Sequence, residues 1–279
     1  MPAVSLPDRA FITVTGEDAE DFLQSIVTTD IKALPAGECR PGALLTPQGK
    51  ILFDFLIARA EDGLLLETSA QQVEAFIKRL TLYRLRAKAQ FARLPANHAL
   101  ISWEPTGEGL TDHRFATAGV ALSRRPGDEA APESVDAYHA LRLSLGVTGG
   151  GEDIGLGDYF PHDLMLDKND GLSFKKGCYV GQEVVSRMQH RSTARRRVVT
   201  VTGQTPLADP GAPLSIGERE VGTLLSVSGS IGIAVARIDK LGAALSSGLT
   251  PSVGGQAVVV ALPGWSGLDW PVEADDAQS

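Results

Sequence analysis

Past Arg197 the chain changes character, and that change limits its fold more than any other feature. Four short β-branched runs follow, Val198–Val201, Val221–Val227, Ile231–Ile238 and Val258–Leu262. Glycine, proline, serine and aspartate separate them. Runs this short, punctuated this often, predict a small all-β barrel or sandwich. The expected division is therefore 1–196 for an α+β body and 197–279 for a C-terminal barrel with an acidic tail from Asp269.

The body mixes both periodicities. Phe11–Val14 reads as a strand, and Asp18 as the cap of a helix carrying Phe22, Leu23, Ile26 and Val27 on one face. Ala43 to Ala60 reads as a hairpin around the turn Thr46-Pro47-Gln48-Gly49-Lys50. Leu64–Leu66 predicts another strand, Val73–Leu85 an amphipathic helix and Tyr138–Leu145 a short one. Ala99–Trp103 and Val120–Leu122 are further strand candidates, and Arg124–Ser134 reads as an exposed loop.

The 279 residues, 43% hydrophobic and 22% charged, are enough to bury a core without disulfide or metal staples. Two cysteines, Cys39 and Cys178, make neither a disulfide framework nor a cysteine-rich metal site. They suggest a reducing compartment. Met1–Phe11 lacks the pattern of a signal peptide, and no apolar run approaches the ~20 residues of a membrane span. The expected setting is cytoplasmic, with no membrane partner.

The net charge is −8, which argues against a general nucleic-acid binder. Residues 175–197 nonetheless carry seven Lys or Arg against the single acid Glu183. Such a patch suits either a compact anion or a solvated helix face. Arg195-Arg196-Arg197 lacks the stacking aromatics of an RNA reader, so nucleic acid is not expected. The five histidines, His98, His113, His139, His162 and His190, show no metal-site spacing. Gly146–Gly151 is no P-loop, for no Lys-Ser/Thr follows.

The chemistry concentrates after Leu172-Ser173-Phe174, a short extended run. Lys176-Gly177-Cys178-Tyr179-Val180-Gly181-Gln182-Glu183 follows, then Val184 to Arg191 with Arg187. The reading is strand, tight turn, then a helix opening near Gly181. Cys178, close to a helix N-terminus and to Lys176, then feels positive potential. That setting suits a nucleophile, a redox-sensitive thiol or a transient cluster ligand. A small buried hydrophobe is the plain alternative.

This eight-residue run resembles the signature of the YgfZ-type folate-binding proteins and their mitochondrial iron–sulfur assembly counterparts. Phe160-Pro161-His162-Asp163, Gly171-Leu172-Ser173-Phe174 and Gly222-Thr223-Leu224-Leu225-Ser226 extend the likeness. Weaker likeness reaches Phe22-Leu23-Gln24-Ser25 and Gly49-Lys50. That family is similar to the aminomethyltransferase of glycine cleavage. The resemblance implies an α+β, ring-like body of two interleaved subdomains around a folate-sized hole, closed by a C-terminal β-barrel. It implies tetrahydrofolate or a one-carbon derivative as ligand, and iron–sulfur client proteins or assembly machinery as partners. Cys178 would be the reactive residue. Asp54 stands where the transferase has a carboxylate near the reactive folate nitrogens. Tyr83 would stack on a flat ring and Arg86 meet the glutamate tail. Leu141-Arg142-Leu143-Ser144 departs from the transferase, with Ser144 in place of its pterin-holding acid. Asp163 or Gln182 would then supply that anchor. Two alternatives stand beside this reading: a folate-dependent one-carbon, aminomethyl-type transferase, and a docking protein without ligand.

Overall fold

The computed structural model describes residues 3–96, 98–103, 109–129, 131, 133–149, 153–155, 157–191 and 194–271. Gly150, Gly151 and the acidic end from residue 272 lie outside them.

The chain enters through β1 (Ala3–Leu6) and β2 (Arg9–Thr15), then α1 (Ala19–Ile26). The hairpin β3 (Glu38–Leu45) and β4 (Ile51–Ala60) leads to β5 (Gly63–Ser69) and α2 (Val73–Arg84). Next come β6 (Gln90–Arg93), β7 (His98–Ser102), β8 (Leu110–Asp112), α3 (His113–Thr117), β9 (Ser123–Gly127) and α4 (Val135–Ser144). All nine strands form one sheet, ordered β1-β7-β9-β8-β3-β4-β5-β2-β6. Only β3 and β8, among the described pairs, run parallel. β1, from the chain start, pairs with β7 and so joins the wing built by the later strands.

Each wing has its own core, because each sheet face needs an apolar cover. Phe53 and Phe55 alternate out of β4 and stack on Phe76 of α2, with ring centroids 4.9 and 5.5 Å apart. Leu23 and Ile26 of α1 close that cluster. On the other wing Val4, Phe11, Ile101 and Phe115 pack with Tyr138 of α4. Two-residue alternation puts Asp54 on the face opposite Phe53 and Phe55, toward the middle of the molecule.

The C-terminal part closes a six-stranded barrel, β10 (Arg196–Gly203), β11 (Pro213–Ile216), β12 (Arg219–Ser228), β13 (Ile231–Arg237), β14 (Pro251–Val253) and β15 (Gln256–Ala261), ordered β10-β13-β12-β11-β14-β15. β10 pairs with both β13 and β15, which leaves no open edge there. Along β13, Ala234 and Ala236 fill the barrel, while Ile233 and Val235 face outward. The outward pair shares a core with Leu143, Leu164, Met165 and Val185, so the barrel is packed onto the body. No described helix is long and apolar enough to cross a membrane.

Several local expectations need correction. Val120–Leu122 is not a strand; β9 begins at Ser123 and runs through the stretch expected to be an exposed loop. The cause is Arg124, which is 3% exposed and held by buried carboxylates that lie far away in sequence. Leu172–Phe174 forms no strand, for the segment hydrogen-bonds to Thr28 instead of to a ladder. Asp18 makes no side-chain cap to α1; its carboxylate accepts the Lys88 amide at 2.7 Å. The barrel also holds a helix, α6 (Ile238–Ser246), in place of the last residue expected for a strand.

Candidate functional site

The signature loop is held by the N-terminal half of the chain. Thr28 Oγ1 donates to the Gly171 carbonyl at 2.6 Å, and the Ser173 amide donates to the Thr28 carbonyl at 2.9 Å. Gln24, at the end of the weak likeness in α1, is the second anchor. Its Nε2 donates to Asp30 Oδ1 at 2.9 Å and to the Lys176 carbonyl at 3.4 Å, while its Oε1 accepts the Ile31 amide at 2.7 Å. The Lys176 ammonium donates back to the Gln24 carbonyl. Burial lowers the Lys176 pKa to about 8, with Asp30 opposing, so its amine loses its proton far more readily than a surface lysine. The ammonium also lies 5.2 Å from the centroid of the Tyr179 ring. Tyr179 is buried, its hydroxyl has no partner among the described residues, and burial pushes its pKa up.

Helix α5 (Gln182–His190) opens as expected, behind Gly181 at φ 79°. A Cβ there would lie 2.6 Å from the Thr46 carbonyl oxygen and 3.1 Å from Gly49 Cα. The hairpin turn and the first turn of α5 therefore touch backbone to backbone, which only glycine permits. This contact accounts for Gly49 and Gly181 together. Gly177 has φ 102° with open space where a side chain would be. Between the glycines Cys178 stands exposed at the tip of the loop. Glu183 and Arg187 form an i,i+4 ion pair at 2.8 Å on the outer face of α5. Gln182 is half-buried beneath them.

The residues expected at folate fall in three places. Asp54 lines a cleft between the two wings, with Arg9, Gly42, Leu56, Arg114 and Leu166. Its enclosed space is about 20 Å³, roughly one water molecule. Tyr83 and Arg86 do not line this cleft: Tyr83 packs on the α1–α2 core and Arg86 is exposed beyond α2. Asp163 lies at a different groove, beside Phe160, Met188 and Arg196. Ser144 is exposed and donates only to the Leu141 carbonyl, at 2.8 Å.

Sequence reasoning missed what surrounds Asp54. Arg9, Arg114 and Arg124 converge on Glu67 and Asp112, all five buried. Arg9 Nε donates to Glu67 Oε1 at 2.9 Å, and Arg124 Nε to Glu67 Oε2 at 2.7 Å. Arg124 also reaches Asp112, which Arg114 grips through Nε at 3.0 Å and Nη2 at 2.7 Å. Burial alone pushes both carboxyls up, but the guanidiniums outweigh it and hold Asp112 and Glu67 below the usual range. Arg9 and Arg114 are also walls of the Asp54 cleft. The members are scattered from residue 9 to 124, so no local pattern announces them.

Among the described residues no group of three or more His, Cys, Asp or Glu is placed to hold a metal ion.

Comparison with known proteins matches residues 9–101 to the GCVT N-terminal domain and residues 195–268 to the CAF17 C-terminal beta-barrel domain. The chain is 29% identical to the mitochondrial iron–sulfur cluster assembly factor IBA57 homolog of Pyricularia oryzae, across 84% of this chain and 71% of that protein. It is 28% identical to mitochondrial IBA57 of Homo sapiens, across 95% and 84% respectively. Glycine cleavage system aminomethyltransferase T from Bartonella henselae superposes with a TM-score of 0.67 at 18% identity, covering 94% of this chain and 85% of that one. The curated relatives are named as mitochondrial, which overturns the cytoplasmic placement; two cysteines report a reducing environment, not a particular compartment. The chain thus has the aminomethyltransferase fold, closed by a six-stranded C-terminal barrel, and its homologues are iron–sulfur cluster assembly factors.

Proposed function

We propose that this chain is a folate-binding accessory factor of the YgfZ type, acting on iron–sulfur enzymes through Cys178. The observation that carries the reading is the exposed Cys178, held on a loop fixed by Gln24, Thr28 and the Gly49–Gly181 contact, on the fold its cluster-assembly homologues share. A thiol presented this way is reachable by another protein. One cysteine supplies one ligand, whereas clusters ordinarily take four. A cluster that meets Cys178 therefore draws its other ligands from a client or assembly protein.

The Asp54 cleft suits a reduced folate in its donor set. Asp54 would accept from ring N–H groups, Leu56 and Leu166 provide apolar walls, and Arg9 and Arg114, already paired with Glu67 and Asp112, would add positive potential toward an anionic group. Entry of a pterin requires the wings to part, because the enclosed space is about 20 Å³. Bound there, the folate would supply a one-carbon carrier. The chain's own part is to hold it and keep its tail against the guanidiniums.

Two measurements test this. Anaerobic calorimetry with tetrahydrofolate is expected to show binding by the native chain and by Cys178→Ala, and weaker binding by Asp54→Asn. No heat with any folate form removes the ligand and favours the docking-protein reading. In cells lacking the chain, Cys178→Ala is expected to accumulate as a folded protein yet leave cluster-enzyme activity low. Full rescue by that variant removes Cys178 from the function.

A further inference from the structure

A second cavity of about 360 Å³ lies where the C-terminal end of α5 meets the barrel. Its walls are Phe160, Asp163, Met188, Arg195, Arg196 and Arg237. It shares none of these residues with the Asp54 cleft. Cys178 lies before the opposite end of α5.

Three guanidiniums around one cavity on a chain of net charge −8 need a reason. Part of the charge is matched: Arg237 makes a two-pronged pair with Asp239 at 2.9 and 2.7 Å, and Arg195 stands 4.0 Å from the same carboxylate. Arg196 instead lies over the Tyr159 ring, 5.1 Å from its centroid. The Lys50 ammonium sits 3.6 Å above the Phe160 ring, adding a fourth cation beside the wall. Guanidiniums in this setting are donors for an oxyanion.

Asp163 narrows the choice. It is 1% exposed, and its Oδ2 accepts the Phe160 amide at 3.1 Å. Burial raises its pKa, with the Phe160 amide, Arg196 and Lys50 opposing. An anion that offers only acceptor oxygens meets repulsion from this carboxylate. A phosphate monoester takes up its second proton near pH ~6, and in that monoanionic form it donates to Asp163 while accepting from the arginines, which sulfate does not do. The volume exceeds one phosphate, and Phe160 and Met188 give an apolar side.

We propose that this groove binds a small phosphorylated molecule, its phosphate held by Arg195, Arg196 and Arg237 with Asp163 as acceptor, and its organic part against Phe160 and Met188. The site is independent of the folate reading and stands or falls by itself.

The chain has three methionines, Met1, Met165 and Met188, and Met165 is buried in the shared core, so labelled methionine methyls report locally. Titration of the full chain with inorganic phosphate, phenyl phosphate and sulfate at about pH 5.5, where the phosphates keep a proton and sulfate has none, is the test. The expected result is a saturable shift of the Met188 methyl with Met165 unmoved. Phenyl phosphate should bind more tightly than inorganic phosphate, and sulfate at least about tenfold more weakly. Arg195→Ala with Arg196→Ala should lower phosphate affinity about tenfold or more, while Arg219→Ala, at the exposed start of β12, should not. A still Met188 methyl at about 10 mM phosphate overturns the proposal. So does equal affinity for sulfate, or full affinity in the double variant. If the double variant does not fold, the Met188 shift and the sulfate comparison still decide.

Discussion

Two arginine-rich regions of this molecule behave in opposite ways. In the body, Arg9, Glu67, Arg124, Asp112 and Arg114 are buried, and each acid serves two guanidiniums. Along α5 and up to Arg196, cations line the surface and Glu183–Arg187 is an ordinary exposed pair, whereas Arg197 is buried against Asp167. A buried charge is tolerable only with its partners in place, since removing one leaves another in a low dielectric. An exposed charge falls back on water. Folding therefore depends on the first region far more than on the second.

Breaking the buried network should have the largest effect. Arg124→Met takes partners from both Glu67 and Asp112, and the side chain is 2% exposed. A loss of about 3–5 kcal/mol is expected, read by urea or thermal unfolding. The acid limb should change as well. Both carboxyls have folded-state pKa values below the ordinary ~4, so their contribution is complete above that pH and fades as pH falls through the depressed values. Without Arg124 that depression shrinks, and acid unfolding should begin at higher pH. Unchanged stability and an unchanged acid limb would show that the network contributes nothing net.

The two glycines beside Cys178 sharpen the comparison between structure and function within one loop. Both have positive φ, but only Gly181 faces backbone, at 2.6 Å from the Thr46 carbonyl oxygen. Gly177→Ala should cost about 1–2 kcal/mol, the price of the left-handed conformation alone. Gly181→Ala should cost more, because the hairpin turn or α5 must also move. Comparing the two melting curves measures the close approach separately from the strain. Equal losses would place the whole cost in φ.

What the sequence disclosed follows the same divide. Local signals announced most of the barrel strands and α2 through their apolar patterns, and the hairpin of β3 and β4 and the start of α5 through their turn residues, because each owes its existence to neighbours in the chain. The short strands β11 and β14 carry too few residues for a period to show, and α6 starts at Ile238, the last residue of an apolar run read as strand. Arg124 was read as part of a loop because the stretch is rich in Pro, Gly and acids, and it is Asp112 and Glu67, twelve and fifty-seven positions away, that make it a core residue. The signature run was legible as a turn and a helix. Its anchors, Gln24 and Thr28, lie about 150 positions earlier and become visible only when the loop is seen resting on them. The scatter of Asp54, Tyr83 and Asp163 over three places has the same origin, for the spacing of strands and helices says little about which faces meet across the sheet.

The smallest effect on stability is expected where the signature is most conspicuous. Glu183 belongs to the eight-residue run, yet its side chain is 85% exposed and its described side-chain contact is the i,i+4 pair with Arg187. Such pairs contribute about 0.3–0.5 kcal/mol, and salt weakens them further. Glu183→Gln should therefore leave the melting temperature within about 2 °C of the native chain. Because the fold does not depend on this carboxylate, the variant isolates what the outer face of α5 does beyond folding. Loss of cluster-enzyme rescue with an unchanged melting curve would place Glu183, exposed like Cys178, in contact with a client. Retained rescue would confine that contact to the cysteine and the loop tip.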